Sequence, residues 1–406
     1  MCNNEVVMKC SKSKITLKKS TIQEVGLFAM MNAVLTFLSS YYNNIGRPLY
    51  YFGLLCLFVS AVPKLKMILH SGIVLWYFCF ALCMLSSSLY SIDRSGTFGS
   101  VSYVISFQLP IIISVIIYCV DDNKIDRFIK LYMIAAVILS IIVIKDGPLS
   151  SGNMRFGMTT TGEQPNTPAM NLAPAVAFAL YCYRRAEGKA KIKYLFAMLL
   201  FITTIFLTGS RKIIVYIVGV ILLSALFNSQ NIKKTIFKFF IVGLVIAIGA
   251  LLLLKVPILY NSIGYRLFTD MSQEASAVHR SWLLSEAWNY FLKSPIIGHG
   301  AHTFKLVNDM GRYAHNNYAE LLSGLGIVGL FAYYGYLVNL TWKLWKRKSY
   351  EYCNMMFGIM LMTFVVDWWN VNYLQRGVFF AISCAYAAYR TSIYKNNNRI
   401  EEFNDG

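Results

Sequence analysis

Apolar runs long enough to cross a bilayer recur along this chain, and they constrain its fold more than any other feature. Crossing the hydrocarbon core takes about 17 to 25 residues of helix. Backbone groups that face lipid need hydrogen-bond partners inside the chain, which only helices and closed barrels provide. Because 57% of the residues are hydrophobic and only 14% are charged, lipid must cover much of the surface. The sequence therefore predicts an all-α, polytopic integral membrane protein.

We predict about twelve transmembrane helices. They span residues 21–41, 49–62, 67–89, 101–120, 128–144, 169–183, 194–207, 213–227, 236–256, 318–342, 353–373 and 378–393. The stretch 194–227 is divided because it is too long for one span and residues 208–211 interrupt it. The predicted organisation is a cytoplasmic tail (1–20), helices 1–9 (21–256), a large extracytoplasmic loop (257–317), helices 10–12 (318–393) and a second cytoplasmic tail (394–406).

Most positive charges lie in short segments between the apolar runs. In a soluble protein, the formal net charge of +19 would suggest a nucleic-acid partner. In a membrane protein, basic loops mark the cytoplasmic side instead, so we expect no nucleic acid. Dividing 194–227 places the short basic clusters on that side, together with both termini. Five lysines precede the first run, which is too long for a removable signal peptide, so we expect it to remain as a helix.

The loop 257–317 contains the main functional candidates. It holds four of the five histidines together with Arg266, Arg280 and Arg312. Extracytoplasmic segments normally carry few cations, so these arginines indicate an anionic partner.

Part of this loop is predicted to be helical. Apolar residues recur at helical spacing from Val278 to Leu292, and Pro295 ends the pattern. This predicts an amphipathic helix on the membrane surface. Arg280 would lie on its first turns, within reach of a lipid head group.

His315 is a candidate base, because it directly precedes a predicted helix. The helix dipole favours a neutral imidazole there, which leaves one nitrogen able to accept a proton. An ordinary interfacial histidine fits this position equally well. Arg211 also has two equal interpretations. It either binds an anion or anchors its turn among the lipid head groups. Asp367 is a functional candidate, or a structural partner of Arg376.

Other familiar motifs are absent or have a plainer interpretation. The glycines of 324–329 match a dinucleotide-binding pattern, but they lie inside an apolar run, which favours close helix–helix approach. His299 and His302 have no carboxylate or cysteine nearby in sequence, so we predict no metal site. The nine cysteines include no Cys-x-x-Cys pair and support neither zinc nor a disulfide.

Five short motifs occur in a particular order on the predicted extracytoplasmic side. They are Leu-Thr-Gly-Ser-Arg at 207–211, Arg-Ser-Trp at 280–282, Ser-Pro-Ile-Ile-Gly-His-Gly at 294–300, His-Asn-Asn-Tyr-Ala-Glu-Leu-Leu at 315–322 and Gly-Leu-Gly-Ile-Val-Gly at 324–329. Their order and spacing resemble the O-antigen ligase and Wzy-type polysaccharide polymerase family. The resemblance covers roughly residues 194–342.

The resemblance implies a fold similar to the C-type membrane glycosyltransferases, which are metal-independent and use lipid phosphates. It implies a donor glycan on undecaprenyl pyrophosphate, no cofactor, and an active site on the extracytoplasmic face of the bacterial cytoplasmic membrane. Arg211 and Arg280 would bind the donor pyrophosphate, and His315 would lie beside the acceptor hydroxyl. Further substrate contacts are expected from a second set of polar residues: Arg266, Arg312, Asn316, Glu320 and Arg376.

Three functions remain open from the sequence. The first is a polymerase that transfers a growing glycan from its carrier to an incoming lipid-linked repeat unit. The second is a ligase that transfers finished O-antigen to lipid A core. The third, a transporter of lipid-linked glycans, lacks the expected charges within several spans. For the enzyme, partners such as a chain-length regulator and a flippase are expected.

Overall fold

A computed structural model describes residues 21–38, 41–122, 124–147, 156–157, 165–227, 251, 254–255 and 275–404. Within these residues the chain is all-helical, as predicted. The helices are α1 (Thr21–Phe37), α2 (Asn43–Leu69), α3 (Gly72–Leu89), α4 (Arg94–Asp122), α5 (Ile125–Asp146), α6 (Asn166–Arg185), α7 (Lys189–Leu207), α8 (Arg211–Phe227), α9 (Ala275–Lys293), α10 (Asn317–Lys346), α11 (Glu351–Asp367) and α12 (Val378–Asn404).

Six of the described helices are long and apolar enough to cross a membrane. They are α2, α3, α5, α7, α10 and the Arg94–Cys119 part of α4. Large apolar side chains on the outside of these helices are exposed. Phe58, Phe196 and Phe331, for example, are each more than two-thirds exposed. Lipid suits such a surface, and the chain is a multi-pass membrane protein. The count of about twelve spans stays a prediction, and the predicted span 236–256 lies almost wholly outside the described residues.

The helices α7 and α8 are separate, as the break at 208–211 predicted. Gly209 adopts a φ of +64° after the last turn of α7, and its N–H bonds to the carbonyl of Phe206. A left-handed glycine at this position is a common way to end a helix. The Ser210 carbonyl then accepts from the N–H of Ile213 in the first turn of α8.

The helix α10 is interrupted inside the predicted span 318–342. Gly326 has a φ of +66° and a ψ of −164°, which is not helical. The groups released by this break bond to the 295–300 segment. The N–H of Ile327 donates to the Pro295 carbonyl, and the N–H of Gly300 donates to the Gly324 carbonyl. The expected close approach of two helices at 324–329 is therefore wrong, because Gly324 and Gly326 lie against the backbone of the 295–301 loop.

The helix α11 ends at Asp367, although its span was predicted to continue to 373. The polar side chains of Asp367 and Asn372 bond to each other and hold the following segment, 368–377, in a non-helical form. This segment is also fixed from α4, where the Gln108 side chain donates to the Tyr373 carbonyl at 2.8 Å. It lies at the same end of the bundle as His315.

Candidate functional site

His315 is presented by a short loop whose conformation is fixed at both sides. Its own φ is +54°, which is unusual for a residue with a side chain. On one side, a carboxylate oxygen of Glu320 accepts the N–H of Ala314 at 2.7 Å. On the other, the Asn316 side chain accepts the N–H of Ala319 and caps α10. The loop that carries the imidazole is thus held at the start of α10 by local hydrogen bonds.

The environment of His315 keeps its imidazole uncharged. Burial, followed by the positive charges of Arg280, Lys212 and Arg312, lowers the pKa of His315 to about 4. The sequence-based argument expected a neutral imidazole from the helix dipole, whereas burial and these cations are the causes found. The ring of Tyr313 packs on His315 with centroids 4.2 Å apart. At neutral pH the imidazole is able to accept a proton.

The positive charges of Arg280 and Arg312, which lie on two different elements, both act on His315. Arg280 lies on the first turns of α9 and is exposed. As predicted, α9 is a helix that ends before Pro295, and it buries Leu283 and Ala287 against the 304–319 segment. Arg312 belongs to that segment. The Asn308 side chain holds its backbone, because it donates to the Arg312 carbonyl at 2.8 Å.

The turn between α7 and α8 brings a further cation to this site. Lys212, the second residue of α8, contributes to the lowered pKa of His315. Its ammonium donates to the Asn370 side-chain oxygen at 2.7 Å and to the Trp369 carbonyl at 3.1 Å. Arg211, the predicted catalytic residue beside it, is half-buried at the first position of α8.

A hydrogen-bonded network of buried side chains lies between Lys212 and the start of α10. Asn370 donates to the Asn372 oxygen. Asn372 donates to one oxygen of Asp367, and the Tyr334 hydroxyl donates to the other. The network then reaches Asn317, whose side chain donates to the Tyr334 hydroxyl at 2.7 Å. It therefore joins α8, the 368–377 segment and α10.

Residues 196–334 match the O-antigen ligase family. The match confirms the resemblance predicted from the motifs, over about a third of the chain. It supports a glycosyltransferase-type enzyme that acts on lipid-linked polysaccharide in a membrane. No curated protein matches the chain.

The O-antigen ligase match contains Lys212, Arg280, Arg312 and His315, but it ends before Asp367. Sequence reasoning missed Lys212, although a cation on the predicted extracytoplasmic side was the argument used for the neighbouring arginines. It also missed the asparagines of the 368–377 segment. No local pattern marks an asparagine as the partner of a lysine so far away in the chain.

The other predicted site residues lie in different settings. Glu320 is 1% exposed, and it holds the loop backbone at Ala314. Arg376 donates to the Tyr103 hydroxyl and lies 4.3 Å over the Phe107 ring, so the structure places it against α4. The suggested Asp367–Arg376 pair is wrong, because both Asp367 oxygens accept from the network. Arg266 lies outside the described residues.

His299 and His302 are both partly buried. A ring nitrogen of His299 lies 2.8 Å from the Tyr290 carbonyl, and the two rings are stacked. Burial and the charge of Lys305 lower the pKa of His302 to about 4. In the part of the chain that the structure describes, no group of three His, Cys, Asp or Glu side chains is placed to hold a metal ion.

Proposed function

We propose that this protein is a polymerase of a bacterial surface polysaccharide such as O-antigen, capsule or exopolysaccharide. It would transfer the growing glycan from undecaprenyl pyrophosphate to an incoming lipid-linked repeat unit. The observation that carries the proposal is a partly buried, neutral His315 before the start of α10, whose pKa is lowered by burial and by the positive charges of Arg280, Lys212 and Arg312. Cations at this site can bind the negatively charged pyrophosphate. A neutral imidazole can accept the proton of the acceptor hydroxyl.

The chemistry requires a base on one side of the reacting carbon and cations on the other. The acceptor hydroxyl oxygen attacks the anomeric carbon while His315 accepts its proton, and the bond from that carbon to the pyrophosphate breaks. The leaving pyrophosphate takes the electron pair. Arginine side chains stabilise its negative charge, because one guanidinium can donate two parallel hydrogen bonds to phosphate oxygens. Attack opposite the leaving group inverts the anomeric centre, and no metal is required.

Each predicted site residue receives a role in this proposal. Arg280 and Arg211 bind the pyrophosphate, and Arg312 and Arg266 extend the cationic surface toward it. Asn316 and Glu320 act by holding the His315 loop, which agrees with their burial. Arg376 would contact the substrate from the α4 side. The site faces the extracytoplasmic side of the cytoplasmic membrane.

The experiment is Arg280→Ala in a strain whose only copy of the gene carries the change. We expect loss of polymer, with the protein still present in the membrane at the normal level. Lys293→Ala is the matched control, because Lys293 is an exposed cation in the last turn of the same helix. Normal chain lengths in the Arg280→Ala strain would refute the mechanism.

A ligase is the alternative, and the family that the chain matches favours it because that family is described as O-antigen ligase. Such an enzyme would use the same donor chemistry and pass the glycan to lipid A core. Deleting the gene separates the two functions. Loss of long chains indicates the polymerase, and intact but unattached polymer indicates the ligase. Elongation of lipid-linked oligosaccharide by the purified protein in detergent would exclude a transporter.

A further inference from the structure

A cavity of about 270 Å³ lies at the end of the bundle opposite His315. It is bounded by the first two turns of α5 and α7 and the last turns of α6, three helices that pack on one another. Arg185, in its wall, lies 3.9 Å from Glu351 at the start of α11. The other end of α11 is Asp367, in the network that reaches the start of α10. The 17 residues of α11 span about 25 Å, so the cavity is remote from the proposed transferase site.

The wall of this cavity carries more positive than negative charge. Its described lining residues include two cations, Lys130 and Arg185, and one carboxylate, Asp126. Asp126 is already engaged, since Arg185 donates to both of its oxygens at 3.0 Å and the Tyr181 hydroxyl donates to one of them at 2.8 Å. In the described part of the chain, no ion pair involves Lys130. Lys130 therefore supplies a charge that an anionic ligand can use.

Further cations lie beside the cavity on α7. The ammonium of Lys193 lies 4.9 Å from the centroid of the Tyr194 ring, and Tyr194 lines the cavity. The segment 184–193 holds five cations and one carboxylate. Clusters of lysine and arginine next to a membrane helix attract anionic lipids, and tyrosines are enriched at the membrane interface. The composition around the cavity is therefore typical of a site for an anionic headgroup.

The helices that bound the cavity expose apolar side chains directly beyond it, toward the middle of the bundle. On α5, Ile134 follows Lys130 by one turn and is exposed. On α7, Phe196 and Leu199 follow Lys193 and are exposed. Cations followed by an apolar surface suit an amphiphile, whose headgroup and acyl chains need these two environments in this order. A soluble anion would use only the first of them.

We propose that this cavity binds the headgroup of an anionic phospholipid, whose acyl chains lie along the exposed apolar faces of α5 and α7. Lys130 and Lys193 attract the phosphate, and the Arg185–Asp126 pair fixes the ends of α5 and α6 beside it. The cavity takes no part in the transfer reaction, so this inference does not depend on the proposed function. A lipid that binds only the folded protein stabilises it, and occupancy can therefore be followed by unfolding.

The test is binding of phosphatidylglycerol to the purified full-length protein in an uncharged detergent. Native mass spectrometry measures the Kd, and thermal unfolding measures the stabilisation. Phosphatidylcholine, which has the same chains but no net charge, is the comparison lipid. We expect phosphatidylglycerol to bind more tightly and to raise the unfolding midpoint more. Lys130→Gln and Lys193→Gln should each raise its Kd by about 5-fold, as for loss of one cation at an anionic membrane surface.

Two further variants separate a shaped site from general attraction to a basic surface. Lys66→Gln removes an exposed cation of α2 that does not line the cavity, and it should leave phosphatidylglycerol binding unchanged. Ala190→Phe keeps every charge but fills the cavity where the half-buried Ala190 lines it, so binding should weaken. Inorganic phosphate, which has the charge without acyl chains, should not compete with the lipid.

The outcomes are distinct. Selective binding of phosphatidylglycerol that weakens in Lys130→Gln, Lys193→Gln and Ala190→Phe, but not in Lys66→Gln, supports the proposal. Equal affinity for the two lipids overturns it, as does unchanged binding in Ala190→Phe or an equal effect of Lys66→Gln and Lys130→Gln. Competition by inorganic phosphate would show a site for a soluble anion and overturn it too. Arg280→Ala should bind the lipid as wild type does, so failure here leaves the proposed function standing.

Discussion

The break in α10 at Gly326 brings the backbone of the 295–300 segment against the helix. Gly326 lies at a φ of +66°, and a Cβ added there would be 2.3 Å from the Ile296 carbonyl oxygen. Two hydrogen bonds depend on this close approach. The N–H of Ile327 donates to the Pro295 carbonyl at 2.9 Å, and the N–H of Val328 donates to the Ile296 carbonyl at 3.1 Å. Gly326→Ala therefore strains the backbone at residue 326 and moves the 295–300 segment away from α10.

The expected cost has two parts. Holding a residue with a side chain in this backbone region costs about 1 to 3 kcal/mol. Each of the two hydrogen bonds contributes about 0.5 to 1.5 kcal/mol. Together these losses amount to about 2 to 6 kcal/mol, which is a large fraction of the roughly 5 to 15 kcal/mol that stabilises a typical folded protein.

The assay is thermal unfolding of the purified protein in detergent, followed by tryptophan fluorescence. We expect a clearly lower midpoint for Gly326→Ala. Gly335→Ala is the matched control, because Gly335 lies in the same helix and an added Cβ there meets nothing within 4 Å. Alanine favours helix by about 1 kcal/mol over glycine, so this variant should be as stable as wild type or more so. Equal midpoints for the two variants would refute the explanation of the break.

Three further predictions follow from the site. Activity should persist down to about pH 4, because the imidazole of His315 loses its base form only below its lowered pKa; a loss centred near pH 6.5 in the rate profile would contradict this. Glu320→Ala should lower the unfolding midpoint, since it leaves the buried Ala314 N–H unpaired at a cost of about 1 to 3 kcal/mol, whereas Glu320→Gln should not. Alkaline phosphatase fused after Asp309 should be active, as expected on the extracytoplasmic side, and an inactive, stable fusion would place the site in the cytoplasm.

The site was predictable where the signal was local. Arg280, Arg312 and His315 stood out because extracytoplasmic segments normally carry few cations and because the motifs have a recognisable order. The network of Asp367 was not predictable in this way. Its partner Tyr334 lies 33 residues earlier, and the Lys212–Asn370 contact spans 158 residues. Such pairs depend on how helices pack, which neighbouring residues do not specify.

The class of protein, the turn between α7 and α8, and the end of α9 before Pro295 were all predictable from the amino-acid sequence. These features follow from length, hydrophobicity and backbone preference over one or two helical turns. The positions at which α10 breaks and α11 stops depend instead on contacts between distant parts of the chain. A helix interrupts its own hydrogen bonds only where other groups replace them, and those groups come from distant segments of the chain.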